Sequence, residues 1–152
     1  MREERVSFAP RGEPALRLEG RLLDGGGAPL VVSHPHPLHG GTMDHPVVAA
    51  IFRAGGGAGS RALRYNFRGV GASTGRLAPG DPLPVADLAG ALDFLGPAPA
   101  VAVCTESGPI LRKCNPGDTP RWERGTSGPG GTRQLSRTAS SAARATAAAA
   151  RA

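Results

Sequence analysis

The 152-residue sequence has few aromatic residues, two cysteines and no long apolar run. Cys104 and Cys114 have no neighbouring Cys or His at metal-ligand spacing, so the cysteines predict neither a zinc site nor a disulfide framework. No stretch approaches the roughly 18 apolar residues of a membrane span. The first thirty residues also lack the apolar run that is typical of a secretory signal. We therefore expect a cytoplasmic protein with no membrane partner.

Positive charge is concentrated in the C-terminal third of the chain. Residues 105–152 contain eight Lys/Arg against three Asp/Glu, whereas residues 1–104 contain ten against nine. The C-terminal segment also has too few large apolar residues to offset the entropy lost on ordering. We predict a partial domain over residues 1–104 and a low-complexity, disordered basic tail over residues 105–152. Four of its arginines are candidates for non-specific contact with polyanions: Arg133, Arg137, Arg144 and Arg151.

Hydrophobic patterning predicts an α/β fold with about five strands and two helices. The glycine-rich turn at residues 24–27 indicates a hairpin between the second and third strands. We expect Thr42 or Asp44 to cap the first helix and Asp81 to cap the second. Asp87 and Asp93 are expected to be solvated. The predicted strands are residues 5–8, 15–23, 29–33, 62–67 and 100–103, and the predicted helices begin at residue 46 and cover residues 84–95.

Two extended motifs carry a family resemblance. They are VVSHPHPLHGGTMD at residues 31–44 and LRYNFRGVGAS at residues 63–73. Together they closely resemble the α/β-hydrolase superfamily, in the branch near the dienelactone hydrolases, over about residues 28–95. The resemblance implies the N-terminal half of a hydrolase sheet, a small-molecule ester or related carbonyl substrate, and no cofactor. We expect no metal either, because two prolines stiffen the histidine-rich loop and no acidic second shell is evident.

In this family the loop after the third strand contributes a backbone N–H to the oxyanion hole, which stabilises charge developing on a carbonyl oxygen. The resemblance points to His36 as the donor, two residues past His34, because Pro37 has no N–H to give. The amides of Gly40 and Gly41 could assist, since glycine permits close backbone approach. We expect the histidine side chains to shape and hydrogen-bond the loop.

Two serines are weak candidates for a nucleophile. Ser73 lies in a G-x-S-x-G pattern at residues 71–75, but the sequence after it cannot start a helix at once. Ser107 follows the last predicted strand, where the resemblance implies a nucleophile elbow, but it lacks the preceding glycine and Pro109 obstructs the helix. In the second motif, Asn66 and Arg68 are expected to form structural hydrogen bonds.

No histidine follows His45, although the superfamily order is nucleophile, acid and then histidine. Without a base, a serine hydroxyl stays protonated near neutral pH and is a poor nucleophile. The compositional change near Cys104 is typical of a shifted reading frame in a GC-rich gene. We therefore interpret the chain as a truncated or frameshifted, catalytically incomplete hydrolase. Two alternatives stay open: an active hydrolase using an unorthodox or partner-supplied nucleophile and base, and a basic-tailed polyanion-binding protein.

Overall fold

The structure is a computed structural model that describes residues 2–104, 110–115, 118 and 120. The five strands and two helices predicted from the sequence are all present, and the α/β fold class is confirmed. Within the described residues the elements follow one another as β1 Glu3–Phe8, β2 Leu18–Leu23, β3 Gly27–Ser33, a 3₁₀ turn Pro37–His39, α1 Pro46–Gly57, β4 Ser60–Tyr65, α2 Val85–Leu95, β5 Ala100–Cys104 and β6 Ile110–Cys114.

The strands form one mixed sheet in the order β1-β2-β4-β3-β5-β6. Strand β3 is central and runs parallel to β4 and to β5. The pairs β1 with β2 and β2 with β4 are antiparallel. The hairpin predicted between the second and third strands is wrong, because β4 lies between them. A glycine-rich turn allows the chain to change direction, but it does not determine which strand becomes the neighbour.

Each face of the sheet carries an apolar core covered by one helix. On β3 and β4, Val31 and Leu63 lie in the core under α2, whereas Val32 and Ala62 lie in the core under α1. Burial on both faces explains the nearly continuous apolar run of β3, which is typical of a central parallel strand. The largest buried side chains of the two cores are Leu18, Leu63, Tyr65 and Phe67 on the α2 side and Val32, Val48 and Phe52 on the α1 side.

Strand β6 lies in the segment predicted to be a tail, so the sheet continues past residue 104. It pairs antiparallel with β5. The Cα atoms of Cys104 and Cys114 lie opposite Ile110 and Ala100, at the two ends of this strand pair, which is too far for a disulfide between them. Most of residues 105–152 lies outside the described residues, and their predicted disorder stays a prediction.

The helix caps differ from those predicted. The Nδ1 atom of His45, and not Thr42 or Asp44, accepts the Val47 N–H at the start of α1. Helix α2 begins after Pro84 without a side-chain cap. Neither helix in the described part of the chain has the length and apolar content needed to cross a membrane.

Candidate active site

Two loops bring the predicted site residues to one edge of the sheet. The β3–α1 loop, residues 34–45, and the β4–α2 loop, residues 66–84, both follow the carboxyl ends of their strands. Because β3 and β4 are adjacent and parallel, these carboxyl ends lie side by side. Open α/β sheets bind ligands at this edge. The two loops therefore form the candidate active site.

His34 is fully buried and joins the two loops. Its Nε2 accepts the Phe67 N–H at 3.1 Å, so this nitrogen carries no proton. The ring proton lies on Nδ1, which donates to the Pro35 carbonyl oxygen at 2.6 Å. Burial lowers the pKa of the imidazole to about 4. His34 is therefore neutral at pH 7, and both of its ring nitrogens hold backbone groups.

The His36 ring connects the same two loops near the surface. Its Nδ1 accepts the Leu38 N–H at 3.2 Å, and its Nε2 donates to the Asp81 carbonyl oxygen at 3.1 Å. The His39 ring is exposed, and its centroid lies 5.9 Å from that of His36. Within the part of the chain that the structure describes, no group of three His, Cys, Asp or Glu side chains could hold a metal ion.

The backbone amides of the β3–α1 loop differ in their availability. The Gly40 N–H donates to the Pro37 carbonyl at 3.0 Å, and the Gly41 N–H donates to the His36 carbonyl at 3.3 Å. Among the hydrogen bonds within the described residues, none has the His36 N–H as donor. A Cβ at Gly41 would overlap the Pro35 carbonyl oxygen, so only glycine fits there. Of the three amides predicted for the oxyanion hole, that of His36 is available without breaking a loop hydrogen bond.

The downstream end of the β3–α1 loop is held at Met43 by two side chains of the second motif. The Asn66 Oδ1 accepts the Met43 N–H at 2.8 Å, and the Arg64 Nη1 donates to the Met43 carbonyl at 3.0 Å. Arg64 also packs over the Phe52 ring, 5.0 Å from its centroid. Because His34 binds the Phe67 N–H at the upstream end, the β3–α1 loop is tied at both ends to β4 or to the loop that follows it.

Ser73 is buried and has both hydrogen-bonding capacities of its hydroxyl in use. The Oγ donates to the Asn66 carbonyl at 2.8 Å and accepts the Glu19 N–H at 3.0 Å. Glu19 in turn accepts from the Asn66 Nδ2 and from the Ala72 N–H, each at 2.7 Å. Ser73 thus ties the β4–α2 loop to β2. This geometry favours a structural role over that of an exposed nucleophile.

Arg68 forms an ion-paired cluster with two carboxylates. Its guanidinium binds Asp87 on α2 and Glu13 before β2, with shortest nitrogen–oxygen distances of 2.6 Å to each. Asp87 also accepts the backbone N–H of Arg68 at 2.8 Å. The hydrogen bond from Arg68 to Glu13 lowers the pKa of that carboxyl group. The pKa of Arg68 is raised by its hydrogen bonds to Glu13, the larger cause, and to Asp87. The expected structural role of Arg68 is confirmed by these contacts.

The expectation that Asp87 is solvated is wrong, because this side chain is fully buried. Asp93 is about half exposed and pairs with Arg11, as expected for a surface position. Sequence reasoning missed Glu13, Glu19 and Asp87. Their partners lie 19 to 55 residues away along the chain, and no local spacing signals such contacts.

Strand β5 is followed closely by the antiparallel strand β6, in the region where the resemblance implies a nucleophile elbow. Five residues separate Cys104 from Ile110, whose Cα atoms are register partners of an antiparallel strand pair. A parallel connection through a helix needs about a dozen residues or more. Ser107 lies outside the described residues, as do the four arginines predicted to contact polyanions.

A cavity of about 320 Å³ lies away from the candidate site. It is lined by Arg11, Asp93, Ala100 and Cys114, among others. Ala100 begins β5, so this cavity is at the opposite edge of the sheet from His36. We place the candidate active site at the carboxyl edge, where the available amide lies.

Comparison with known proteins supports the fold and the superfamily. No family model matches the chain. An uncharacterized protein of Rickettsia prowazekii (strain Madrid E) is 41% identical over 85 residues, which are 54% of this chain and 35% of that protein. The chain thus spans about a third of the length of this curated relative.

Solved structures of α/β-hydrolases share the architecture. A protein of unknown function from Agrobacterium tumefaciens, named as a candidate α/β-hydrolase, is 35% identical, with a TM-score of 0.52 over 60% of this chain and 42% of its own. An α/β serine hydrolase homologue from Coxiella burnetii is 31% identical, with a TM-score of 0.57 over 68% of this chain and 52% of its own. A lidless α/β serine hydrolase from Xanthomonas campestris, 22% identical with a TM-score of 0.56 over 68% of this chain and 50% of its own, shows the fold alone. The chain spans about half the length of these structures. The narrower resemblance to dienelactone hydrolases stays a prediction.

Proposed function

We propose that this chain is the oxyanion-stabilising part of an α/β-hydrolase for ester or related carbonyl substrates, and that it is catalytically incomplete. The observation that carries the proposal is the available His36 N–H in a loop that is tied at both ends to β4 or to the loop that follows β4. A donor fixed before reaction stabilises developing negative charge without the cost of reorganising. The hydrolase architecture of the structural neighbours supports the substrate class.

The missing function is nucleophilic attack. Ser73 is engaged in two structural hydrogen bonds, and no histidine follows His45 to act as a base in the order typical of the superfamily. The short connection from β5 to an antiparallel strand further supports the proposal that the elbow has been replaced. We propose a shifted reading frame near Cys104 as the origin of this replacement.

A chromogenic ester assay tests the incomplete chemistry. Purified chain with p-nitrophenyl acetate is expected to release nitrophenol no faster than an equal amount of heat-denatured chain, without the burst that marks an acyl-enzyme. Ser73→Ala and Ser107→Ala should leave this slow rate unchanged. Turnover that either substitution abolishes would instead establish an active hydrolase with an unorthodox nucleophile.

The oxyanion role has a separate test that needs no turnover. We expect methylphosphonate, a tetrahedral anion, to shift the backbone amide signal of His36 in ¹H–¹⁵N spectra more than those of Gly40 and Gly41. The latter two amides already donate within the loop. Sodium chloride at matched ionic strength is the control. An unchanged His36 signal would rule out the oxyanion role.

The frameshift is tested on the gene itself. Translating the coding DNA downstream of the Cys104 codon in the other two frames is expected to yield a G-x-S-x-G strand-to-helix segment followed by a histidine. Absence of any such continuation in both frames would contradict this origin and leave the other parts of the proposal standing.

A further inference from the structure

The peptide unit between Pro35 and His36 is held from one side by the His34 ring. The Nδ1 of His34 donates to the Pro35 carbonyl oxygen at 2.6 Å. This carbonyl and the His36 N–H belong to the same planar peptide group. The described chain has no cis peptide bond, and in a trans peptide the C=O and the N–H point in opposite directions. Because the Pro35 carbonyl is held towards the His34 ring, the His36 N–H is held pointing away from that ring.

The direction of the ring hydrogen bonds is determined by the second loop. The Phe67 N–H can only donate, so the Nε2 of His34 must accept and the proton must lie on Nδ1. The other tautomer would place two donors against each other at Phe67 and two acceptors against each other at Pro35. The β4–α2 loop thus selects the tautomer that binds the carbonyl of the β3–α1 loop.

A second contact confines the same carbonyl. Gly41 lies so close to the Pro35 oxygen that a Cβ there would overlap it. The His36 carbonyl, in the next peptide unit, accepts the N–H groups of His39 and Gly41 at 2.9 and 3.3 Å. The peptide units on both sides of the His36 Cα therefore have fixed orientations.

We propose that His34 is a positioning residue that aims the His36 N–H at the oxyanion through its hydrogen bond to the Pro35 carbonyl. This inference rests on the proposed function of the His36 amide. The hydrogen bond also polarises the shared peptide group, which makes its N–H a stronger donor. The chemistry requires a neutral ring whose Nδ1 carries the proton.

Two isosteric amide substitutions separate positioning from simple stability. In His34→Asn, the side-chain NH₂ takes the place of Nδ1–H and keeps a donor for the Pro35 carbonyl, while the acceptor for Phe67 is lost. In His34→Gln, the longer side chain keeps an acceptor for the Phe67 N–H, while the donor for Pro35 is lost. Each variant removes one of the two hydrogen bonds of the ring, so they form a matched pair.

The readout is the methylphosphonate affinity of the His36 amide, followed by ¹H–¹⁵N spectra. We expect His34→Asn to stay near the wild-type affinity and His34→Gln to bind about tenfold more weakly, the loss of roughly one hydrogen bond. Equal responses in the two variants, whether both retained or both lost, would overturn the proposal. If His34→Gln does not fold, Gly41→Ala takes its place, because the added Cβ displaces the Pro35 carbonyl. A wild-type methylphosphonate affinity in Gly41→Ala would also overturn the proposal.

A spectroscopic measurement separates this inference from the proposed function. The ¹⁵N shifts of the His34 ring in the wild-type protein should report a protonated Nδ1 and a bare Nε2. A proton on Nε2 would contradict the positioning role even if methylphosphonate binds. Conversely, a protonated Nδ1 with no methylphosphonate response at His36 would confirm the contact between the ring and the Pro35 carbonyl. It would refute the oxyanion role of His36 and therefore the positioning role of His34.

Discussion

The carboxyl ends of β3 and β4 differ sharply from the carboxyl end of β5. After β3 and β4, the buried side chains of His34 and Asn66 each bind a backbone group of the neighbouring loop, at 3.1 and 2.8 Å, and His34 also binds the Pro35 carbonyl of its own loop at 2.6 Å. After β5, five residues lead directly into an antiparallel edge strand. Buried side chains that bind distant backbone groups thus hold the loops after β3 and β4 in place, whereas β5 is followed closely by a strand that pairs antiparallel with it.

The largest expected effect comes from breaking the ion cluster that joins the β4–α2 loop to α2. Arg68→Met removes the guanidinium and leaves the fully buried carboxylate of Asp87 without its cationic partner. We expect the free energy of unfolding, from urea titration at pH 7, to fall by about 3–5 kcal/mol.

The matched control for this substitution is Asp93→Asn, which breaks the half-exposed pair with Arg11. Its expected cost is within about 1 kcal/mol, because exposed ion pairs contribute little. Equal losses of unfolding free energy in the two variants would mean that the buried ion cluster of Arg68 stabilises the protein no more than the exposed pair of Arg11 and Asp93.

An intermediate effect is expected from pH, acting through His34. Its pKa is about 4 in the folded protein against an ordinary value of 6.5, so between these values the unfolded chain binds more protons. The contribution is fully present above pH 6.5 and falls progressively towards pH 4. At about 1.4 kcal/mol per pKa unit, the stability lost over this window is roughly 3 kcal/mol.

Urea titrations at several pH values on wild type and His34→Asn isolate this contribution, because the variant has no ring to titrate at this position. His36 and His45, whose charges also act on His34, are present in both proteins. The wild type should lose stability more steeply between pH 6.5 and 4. Parallel profiles would contradict a buried neutral ring.

Among the buried positions, the smallest effect is expected from Ser73→Ala. The substitution leaves the Glu19 N–H and the Asn66 carbonyl without their hydroxyl partner. We expect a loss of about 1–2 kcal/mol in the free energy of unfolding and no change in the His36 response to methylphosphonate. A selective loss of that response, without loss of stability, would assign Ser73 to the site and not to the tie between β2 and the β4–α2 loop.

Much of the fold could be predicted because its signals are local. The apolar run of β3 and the spacing of apolar residues in α2 reflect burial against the sheet, and both elements occur where the pattern indicates. The two motifs also placed the β3–α1 and β4–α2 loops correctly after their strands. The strand order could not be predicted in the same way, because the turn at residues 24–27 does not reveal that β4 lies between β2 and β3.

The sequence by itself determined the element types, the α/β class and the identity of His36 as the candidate donor, since these follow from periodicity, glycine and proline chemistry and motif resemblance. Only the tertiary structure decided that Asp87 is buried against Arg68, that Ser73 is tied to β2, and that the His34 ring binds the Pro35 carbonyl. The physical reason is range. Backbone propensities act over a few residues, whereas the contacts that bury Asp87, tie Ser73 to Glu19 and fix the His34 tautomer join groups 19 to 54 residues apart.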